Sequence, residues 1–389
     1  MADLFDPRHL GSSLTLGNRI VMAPMTRTRT SEGDVPNALM ATYYGQRAGA
    51  GLIIAEATDI DRSAKGYAMT PGIYTQAQKE GWQLVTDEVH RKGGKIFLQL
   101  WHVGRMSHPS IHHDGQAPRG VTEERAEHSD VFVHDDNGKL GYIRAGVPRR
   151  METSEIESLV SDFSRAFENA HQAGFDGVEI HAANGYLFDQ FMNSALNTRD
   201  DRYGGSTVEN RARFLMEVVD EAMRIFGEGR VGVRLAPFGR FNSMPADPLT
   251  EQTLLYVSEH LARRNVAYMH LVYELMPTEN MENAEFKQSY LDHGLLNKVR
   301  AAFDGAIIWC GGFASRESAQ AALDTGLVDL IGFGRPYIAN PDLDQRLKQG
   351  WELSEADRST YYTRRGEVGF TDFPSYVNED QHVADSISQ

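Results

Sequence analysis

The chain has 389 residues, of which 41% are hydrophobic and 24% charged, a composition typical of a globular protein with a full core. The net charge is −15, and no basic stripe or polybasic run occurs, which predicts neither a nucleic-acid nor an anionic membrane partner. The single cysteine, Cys310, excludes an intrachain disulfide and a cysteine-ligated iron–sulfur cluster. Because the first residues lack an apolar signal region and no run approaches about 20 apolar residues, we expect a cytoplasmic protein.

Strand-like and helix-like segments alternate along most of the chain. A small hairpin is predicted at 14–20, with its turn at Gly17-Asn18. Eight strands then follow, with predicted ranges of 19–25, 51–56, 95–101, 176–181, 230–235, 267–272, 306–310 and 328–333. Helices are predicted near 38–47, 76–92, 187–192, 249–264, 295–303 and 341–349. Two further helices are predicted to open with capping boxes at 154–157 and 206–209, and Ser315 is predicted to cap another.

The alternation stops between 102 and 150, where prolines, glycines and histidines are scattered around one predicted hairpin. A long irregular excursion in a compact enzyme commonly covers a site, so we expect it to be a cap. The pattern predicts an α/β fold, a (β/α)8 TIM barrel, with a single domain at 1–376 and a disordered tail at 377–389. A doubly wound sheet is the alternative, but no Gly-x-Gly-x-x-Gly follows the first strand.

Three polar residues follow the fourth strand, in the stretch His181-Ala-Ala-Asn184-Gly-Tyr186. Active sites of parallel barrels lie at this end of the strands. His181 and Asn184 can both donate hydrogen bonds to one substrate oxygen, and Tyr186 can act as a weak general acid. Together they would activate a carbonyl or nitro group for attack by hydride. The alternative is an ordinary barrel-end loop with capping residues.

Glycine-rich turns follow the last two strands, at Gly311-Gly312 and at Gly334-Arg335. Barrels often bind phosphate in these two loops, where glycines allow close approach of the backbone and an arginine neutralises the charge. The two turns together predict a phosphate site.

Polar residues also stand at the ends of strands one, three and five: Thr26, Gln99 and Arg234. They suit a flat aromatic heterocycle held at the rim. Arg234 lies in an otherwise apolar strand, where burial without an acceptor is costly. Its partner is either a bound ligand or a strand carboxylate, Glu56 or Glu179.

Other classes of chemistry have weaker support. Six histidines lie in the excursion, but none has a carboxylate at ligand spacing, so no metal site is predicted: His102, His108, His112, His113, His128 and His134. Cys310 lies in an apolar strand and is predicted to be a buried core thiol. A phosphate-binding barrel lyase or isomerase without flavin remains the alternative function.

The chain resembles the old yellow enzyme family of FMN-dependent ene-reductases over about residues 4–376. It is most similar to the bacterial branch of N-ethylmaleimide, glycerol trinitrate and pentaerythritol tetranitrate reductases. The resemblance rests on the segments Asn18–Arg27, Gln99–Arg105, His181–Leu187, Asn197–Gly205, Glu209–Arg213 and Gly332–Arg335.

The resemblance implies a barrel that binds FMN noncovalently and takes electrons from NADPH or NADH. The implied FMN contacts are Pro24, Met25, Thr26, Ala57, Gln99, Arg234, Gly312, Gly334 and Arg335. His181 and Asn184 would hold the substrate oxygen, and Tyr186 would protonate Cα. Thr26, Tyr67, Trp101 and Tyr362 would line the substrate pocket.

The implied substrates are α,β-unsaturated carbonyls, maleimides and nitroalkenes, with nitrate esters and nitroaromatics in addition. We expect a monomer or weak homodimer. Some relatives carry histidine where this chain has Asn184; both side chains donate, so the same reaction is expected. The chain departs from the branch at His270–Pro277, which reads His-Leu-Val-Tyr-Glu-Leu-Met-Pro where relatives often read His-x-Ser-Glu. It also departs at Thr363–Gly366, whose arginines we expect to contact the phosphates of the nicotinamide cofactor.

Overall fold

The computed structural model describes residues 2–112, 114–134, 138–272, 294–362 and 366–376. Strands β1 to β14 span Arg8–Leu10, Leu14–Leu16, Ile20–Met22, Leu52–Asp59, Ile96–Trp101, Arg119–Gly120, Asp130–His134, Leu140–Arg144, Arg149–Arg150, Gly177–Ala182, Val231–Leu235, Tyr268–Val272, Ala306–Cys310 and Leu330–Phe333. Helices α1 to α10 span Ala38–Gln46, Gln76–Arg91, Thr153–Gln172, Leu187–Met192, Val208–Phe226, Thr250–Ala262, Leu295–Ala302, Arg316–Asp324, Pro336–Ala339 and Leu343–Gln349.

Eight parallel strands close into a barrel, in the chain order β3, β4, β5, β10, β11, β12, β13 and β14. All eight predicted barrel strands are confirmed, each with boundaries shifted by at most a few residues. Side chains alternate in direction along each strand: one set packs outward on the helices, and the other points into the barrel. The predicted (β/α)8 TIM barrel is therefore confirmed.

The N-terminal hairpin lies one strand earlier than predicted. Leu14–Leu16 pairs antiparallel with Arg8–Leu10 around Gly11, and the segment after Gly17-Asn18 is already the first barrel strand. The prediction was wrong because Gly17-Asn18 has turn-like chemistry, whereas the turn residue that takes a positive φ is Gly11, at 55°. Leucines of the hairpin join inward-facing residues of the barrel in one apolar cluster, so the hairpin closes the N-terminal end.

The predicted capping box of α3 lies two residues earlier than predicted, and α5 begins with a single side-chain cap one residue later than predicted. Helix α3 begins at Thr153, and the backbone N–H of Glu152 donates to the side chain of Glu155 at 2.8 Å. Helix α5 is capped by Thr207, whose hydroxyl accepts from the backbone N–H of Asn210 at 3.2 Å. Ser315 caps α8 as predicted, accepting from the N–H of Ser318.

The excursion after β5 contains the predicted hairpin, β7 paired antiparallel with β8, and a short parallel pair of β6 with β9. Its Val131 and Val133 pack in a separate apolar cluster with Trp101 and Tyr186. The excursion is therefore attached to the C-terminal rim of the barrel, above the residues that the sequence singles out.

Some predictions fall outside the described residues: the tail at 377–389, residues 273–277 of the departing segment 270–277, and the two arginines at 364 and 365. Within the described ranges, none of the helices combines the length and the apolar character needed to span a membrane.

Candidate active site

The turn after β10 places three polar side chains at the rim of the barrel. His181 is the last inward-facing residue of the strand and is 3% exposed. Asn184 and Gly185 then take positive φ values of 64° and 72°, a conformation that asparagine and glycine tolerate best. Tyr186 follows and immediately precedes α4. The tight turn thus brings His181, Asn184 and Tyr186 together.

The hydrogen bond at one ring nitrogen of His181 sets its tautomer. Nδ1 accepts from the backbone N–H of Ala183 at 3.3 Å, so the proton is on Nε2. Burial, followed by the nearby charges of Arg234 and His270, holds the pKa of His181 well below its ordinary value. His181 is therefore a neutral imidazole with one N–H to donate.

The backbone of Asn184 is held from a different loop. Asn242, which lies after β11 and has a φ of 57°, donates its side-chain amide to the carbonyl of Asn184 at 2.8 Å. Oδ1 of Asn184 is buried and has no hydrogen-bond partner within the described ranges. Oδ1 can accept a hydrogen bond from a ligand, and the hydrogens on Nδ2 of the same amide are the donors that could hold a ligand oxygen.

Tyr186 is 7% exposed, and burial raises the pKa of its phenol to about 12. It is therefore protonated at neutral pH. Its hydroxyl donates to the hydroxyl of Tyr67 at 3.3 Å. Its ring meets those of Trp101 and His181 edge-on, at centroid distances of 4.8 and 5.0 Å. The contacts with Trp101 and His181 fix the position of the phenol ring.

Trp101 is anchored from behind by a buried carboxylate. Its Nε1–H donates to Oδ1 of Asp59 at 2.7 Å, and Thr70 donates to the other oxygen at 2.9 Å. Tyr67 stacks on Trp101 at a centroid distance of 5.8 Å. Tyr362 is 51% exposed. Tyr67 and Trp101 thus lie directly beside Tyr186, and Tyr362 lies farther out.

A polar layer lies inside the barrel below the rim. Nε2 of Gln99 donates to Glu179 at 2.7 Å, and Nδ1 of His270 lies 2.8 Å from the other oxygen of Glu179. Arg234 forms no ion pair with either expected carboxylate, and its Nε has no hydrogen-bond partner in the described part of the chain. Glu56 instead accepts from the backbone N–H of Arg27 at 3.1 Å. The alternative of a structural ion pair for Arg234 is therefore wrong.

The other candidate residues lie around the same rim. Pro24, Met25 and Thr26 follow β3, and Ala57 lies where the register of β4 against β5 shifts. Gly334 approaches Met25, since a Cβ on the glycine would lie 3.7 Å from its sulfur. Gly312 is exposed, with a φ of 69° and no atom near its Cβ position. Gly312 precedes α8, and the exposed Arg335 precedes α9. The two glycine-rich turns therefore lie beside two helix N-termini.

Two of the excursion histidines, His102 and His112, hold local structure. Nδ1 of His102 accepts from the N–H of Gly104 at 3.0 Å, Nε2 lies 3.3 Å from the hydroxyl of Ser63, and burial lowers the pKa of His102 to about 4. His112 contacts Ser107 at 3.0 Å. Within the described ranges, histidine, cysteine and carboxylate side chains do not gather in threes that could hold a metal ion.

Sequence reasoning missed three supporting residues. Asn242 holds the turn of Asn184, Asp59 holds Trp101, and His270 pairs with Glu179. For Asp59 and His270 a signal existed, because a charged residue within an apolar strand requires a partner. Asn242 lies in an irregular loop, where no periodicity indicates it.

Comparisons with known proteins agree with this geometry. The family model of the NADH:flavin oxidoreductase / NADH oxidase family matches residues 3–354. The chain is 44% identical over 381 residues to 12-oxophytodienoate reductase 1 of Oryza sativa subsp. japonica, covering 97% of this chain and 94% of that protein. It is 40% identical to 12-oxophytodienoate reductase 2 of Arabidopsis thaliana, covering 96% and 95%.

Solved structures show the same likeness. Morphinone reductase in complex with tetrahydroNAD superposes with a TM-score of 0.90 at 44% identity, covering 97% of this chain and 99% of that one. An old yellow enzyme homologue from Zymomonas mobilis superposes with a TM-score of 0.86 at 37% identity, covering 96% and 100%. The chain therefore belongs to the old yellow enzyme family of NAD(P)H-dependent flavin oxidoreductases.

Proposed function

We propose that the protein is an ene-reductase that reduces the activated C=C bonds of α,β-unsaturated carbonyls, maleimides and nitroalkenes. The observation that carries this proposal is the arrangement of His181, Asn184 and Tyr186 on one turn. A neutral imidazole and an amide lie beside a phenol whose pKa is raised to about 12. Two neutral donors and one protonated acid suit a substrate that gains negative charge on oxygen and a proton on carbon.

The residues at the rim fit FMN. Arg234 is a buried cation without a carboxylate partner among the described residues, and its Nε has no acceptor there. It would face the pyrimidine side of the flavin together with Gln99, and Thr26 would bond the flavin O4. Gly312 offers backbone without a side chain, and Arg335 is exposed beside it. These would hold the phosphate. Pro24, Met25, Ala57 and Gly334 would complete the contacts.

Bound FMN would supply hydride chemistry between a nicotinamide and the substrate. His181 Nε2 and the Asn184 amide would hold the substrate oxygen and stabilise its developing charge. Tyr186 would give its proton to Cα. Tyr67, 3.3 Å from the Tyr186 hydroxyl and partly exposed, would return a proton from solvent.

NADPH or NADH and the oxidising substrate would use the same pocket in turn, which predicts ping-pong kinetics. Thr26, Tyr67, Trp101 and Tyr362 would form its walls, and the excursion at 102–150 would cap it. Nitrate esters and nitroaromatics are further candidate substrates. Membership of a flavin oxidoreductase family removes the flavin-free lyase or isomerase alternative.

The first experiment is a visible spectrum of the purified protein, followed anaerobically by NADPH and then 2-cyclohexenone. We expect a yellow protein that bleaches with NADPH and recovers its colour with the enone. A protein that bleaches but is not reoxidised by enones, maleimides or nitroalkenes would refute the proposed substrate class.

The oxygen-binding role is tested by phenol titration, since a bound phenolate accepts hydrogen bonds as the substrate oxygen would. Replacing both His181 and Asn184 by Ala should weaken phenol binding, because each donor contributes about 1.5 kcal/mol to an ionised acceptor. The matched control is His260→Ala, a histidine on the outer helix α6. Equal phenol binding by the double variant and by the control would contradict the assignment.

A further inference from the structure

In the polar layer of the barrel, two inward-facing side chains contact the carboxylate of a third. Gln99 on β5, Glu179 on β10 and His270 on β12 are each at most 1% exposed. Gln99 donates to one oxygen of Glu179 at 2.7 Å, and His270 occupies the other at 2.8 Å. Side chains from two other strands thus satisfy both oxygens of a fully buried acid.

The polar layer contains one buried carboxylate, Glu179, and two basic side chains that could compensate its charge. A buried carboxylate requires a compensating cation, and two are available, His270 and Arg234. Burial opposes the charge of His270, but the attraction of Glu179 outweighs burial and raises the pKa of His270. Glu179 and His270, 2.8 Å apart, therefore form a buried acid–base pair whose combined charge is zero whichever of the two holds the shared proton.

Arg234 is left with its charge unmatched. It lies opposite His270 in the register of β11 against β12, so the two basic side chains are neighbours. A guanidinium cannot lose its proton in a protein. Yet Arg234 forms no ion pair among the described residues, and its Nε has no partner there. Glu179, the carboxylate of the same polar layer, is already hydrogen-bonded to His270.

We propose that Glu179 and His270 neutralise each other so that Arg234 keeps its positive charge for the flavin, and that this pair thereby sets the reduction potential of bound FMN. Positive charge beside the pyrimidine ring stabilises the reduced anionic flavin, whereas an unpaired carboxylate there would oppose it. Glu179 and His270 are positioning residues that act through Arg234 and Gln99. This inference rests on the proposed FMN site.

The decisive variant is His270→Gln. It removes the basic partner of Glu179 and leaves the carboxylate to draw on the charge of Arg234. We expect the equilibrium constant for two-electron reduction of bound FMN to fall at least tenfold, about 30 mV. Adding Glu179→Gln removes the unpaired carboxylate, so the double variant should return to within about twofold of the wild type. Glu179→Gln alone should also stay in that range, because a buried histidine without a carboxylate sheds its proton.

The potential is measured by equilibrating the FMN-loaded proteins with a reference dye during slow anaerobic reduction. The matched control is Ile308→Val, which loosens a fully buried, inward-facing position opposite His270 without changing charge. It should leave the potential unchanged. A purely structural role for the pair predicts instead that the double variant is shifted further than His270→Gln, because losses of packing accumulate.

An unshifted potential in His270→Gln, or a double variant shifted further in the same direction, would overturn the inference. If His270→Gln does not retain FMN, the Glu179→Gln and double variants decide, since a tenfold shift in either one overturns it. Failure of the proposed function is distinct, because it would show as a wild-type protein that does not hold FMN.

Discussion

Removal of one oxygen atom from Tyr186 should separate the two halves of the proposed reaction. The ring is 7% exposed and packs edge-on against Trp101 and His181. Tyr186→Phe preserves these contacts. We therefore expect the variant to bind FMN and to be reduced by nicotinamide as the wild type is, while its reoxidation by an enone becomes slow.

The magnitude follows from what the hydroxyl contacts. Its hydrogen bond to Tyr67, at 3.3 Å, is long for a pair of hydroxyl groups, so its loss should destabilise the fold by about 1 kcal/mol at most. A positioned general acid contributes about 10²–10⁴-fold to the rate. Reoxidation by 2-cyclohexenone should therefore slow by at least about 10²-fold. Because burial raises the pKa of Tyr186 to about 12, the phenol stays protonated through neutral pH and loses its proton only as the pH approaches that value.

The assay is anaerobic stopped-flow spectroscopy, with flavin absorbance followed in each half-reaction separately. Tyr67→Phe is the matched control, since it removes the partner hydroxyl but keeps that of Tyr186. It should slow reoxidation less than Tyr186→Phe does. Wild-type reoxidation of Tyr186→Phe by the enone would refute the reasoning and identify water or another group as the proton source.

Three further perturbations test separate parts of the site. Arg335→Gln should raise the FMN dissociation constant about tenfold, because it removes one charge-assisted hydrogen bond of about 1.5 kcal/mol. It should leave the stability of the FMN-free protein unchanged, because Arg335 is exposed. Asn242→Gly keeps a positive φ but removes the donor 2.8 Å from the Asn184 carbonyl, so the phenol dissociation constant should rise about fivefold. Asp59→Asn should gain stability relative to the wild type as the pH rises from about 5 to 7, measured by urea unfolding at several pH values. Burial raises the pKa of Asp59 to about 7, against about 3.9 in the unfolded chain, so the wild-type fold loses about 1.4 kcal/mol per pH unit in this window and no more above it.

The controls for the two charged positions lie on the surface. Arg224→Gln on α5 removes an exposed guanidinium far from the phosphate loops and should not change FMN affinity. Asp87→Asn on α2 removes an exposed carboxylate and is the control for Asp59→Asn. The first prediction is contradicted if Arg335→Gln and Arg224→Gln bind FMN equally well. The second is contradicted if Asn242→Gly binds phenol as the wild type does. The third is contradicted if the stability difference between Asp59→Asn and the wild type does not change with pH.

The barrel and the rim of the candidate site followed from local pattern. Each strand carries a short apolar run, and each helix an apolar face, so their alternation predicts a parallel sheet closed by helices. In a parallel barrel the carboxyl ends of all strands meet at one rim. The positions of Thr26, His181 and Arg234 along their strands were therefore sufficient to place them at the same end.

The N-terminal hairpin was predicted at the wrong position, because the choice between two possible turns depends on contacts that local sequence pattern does not show. The hairpin turn occurs at Gly11 and not at Gly17-Asn18, although both segments have turn chemistry. The difference is decided by the apolar residues of the barrel floor, which the leucines of Leu14–Leu16 cover only when the hairpin ends there. Such a choice depends on contacts distant in sequence.

By itself, the sequence determined the fold class, the rim and the polar residues that stand on it, because these depend on the period and the order of segments. Only the tertiary structure decided which buried charges pair. The sequence offered Glu179 as a partner for Arg234, whereas in the barrel Glu179 pairs with His270 at 2.8 Å. Charges buried in the same layer compete for one carboxylate, and distances of a few ångströms, which the sequence does not encode locally, decide the outcome.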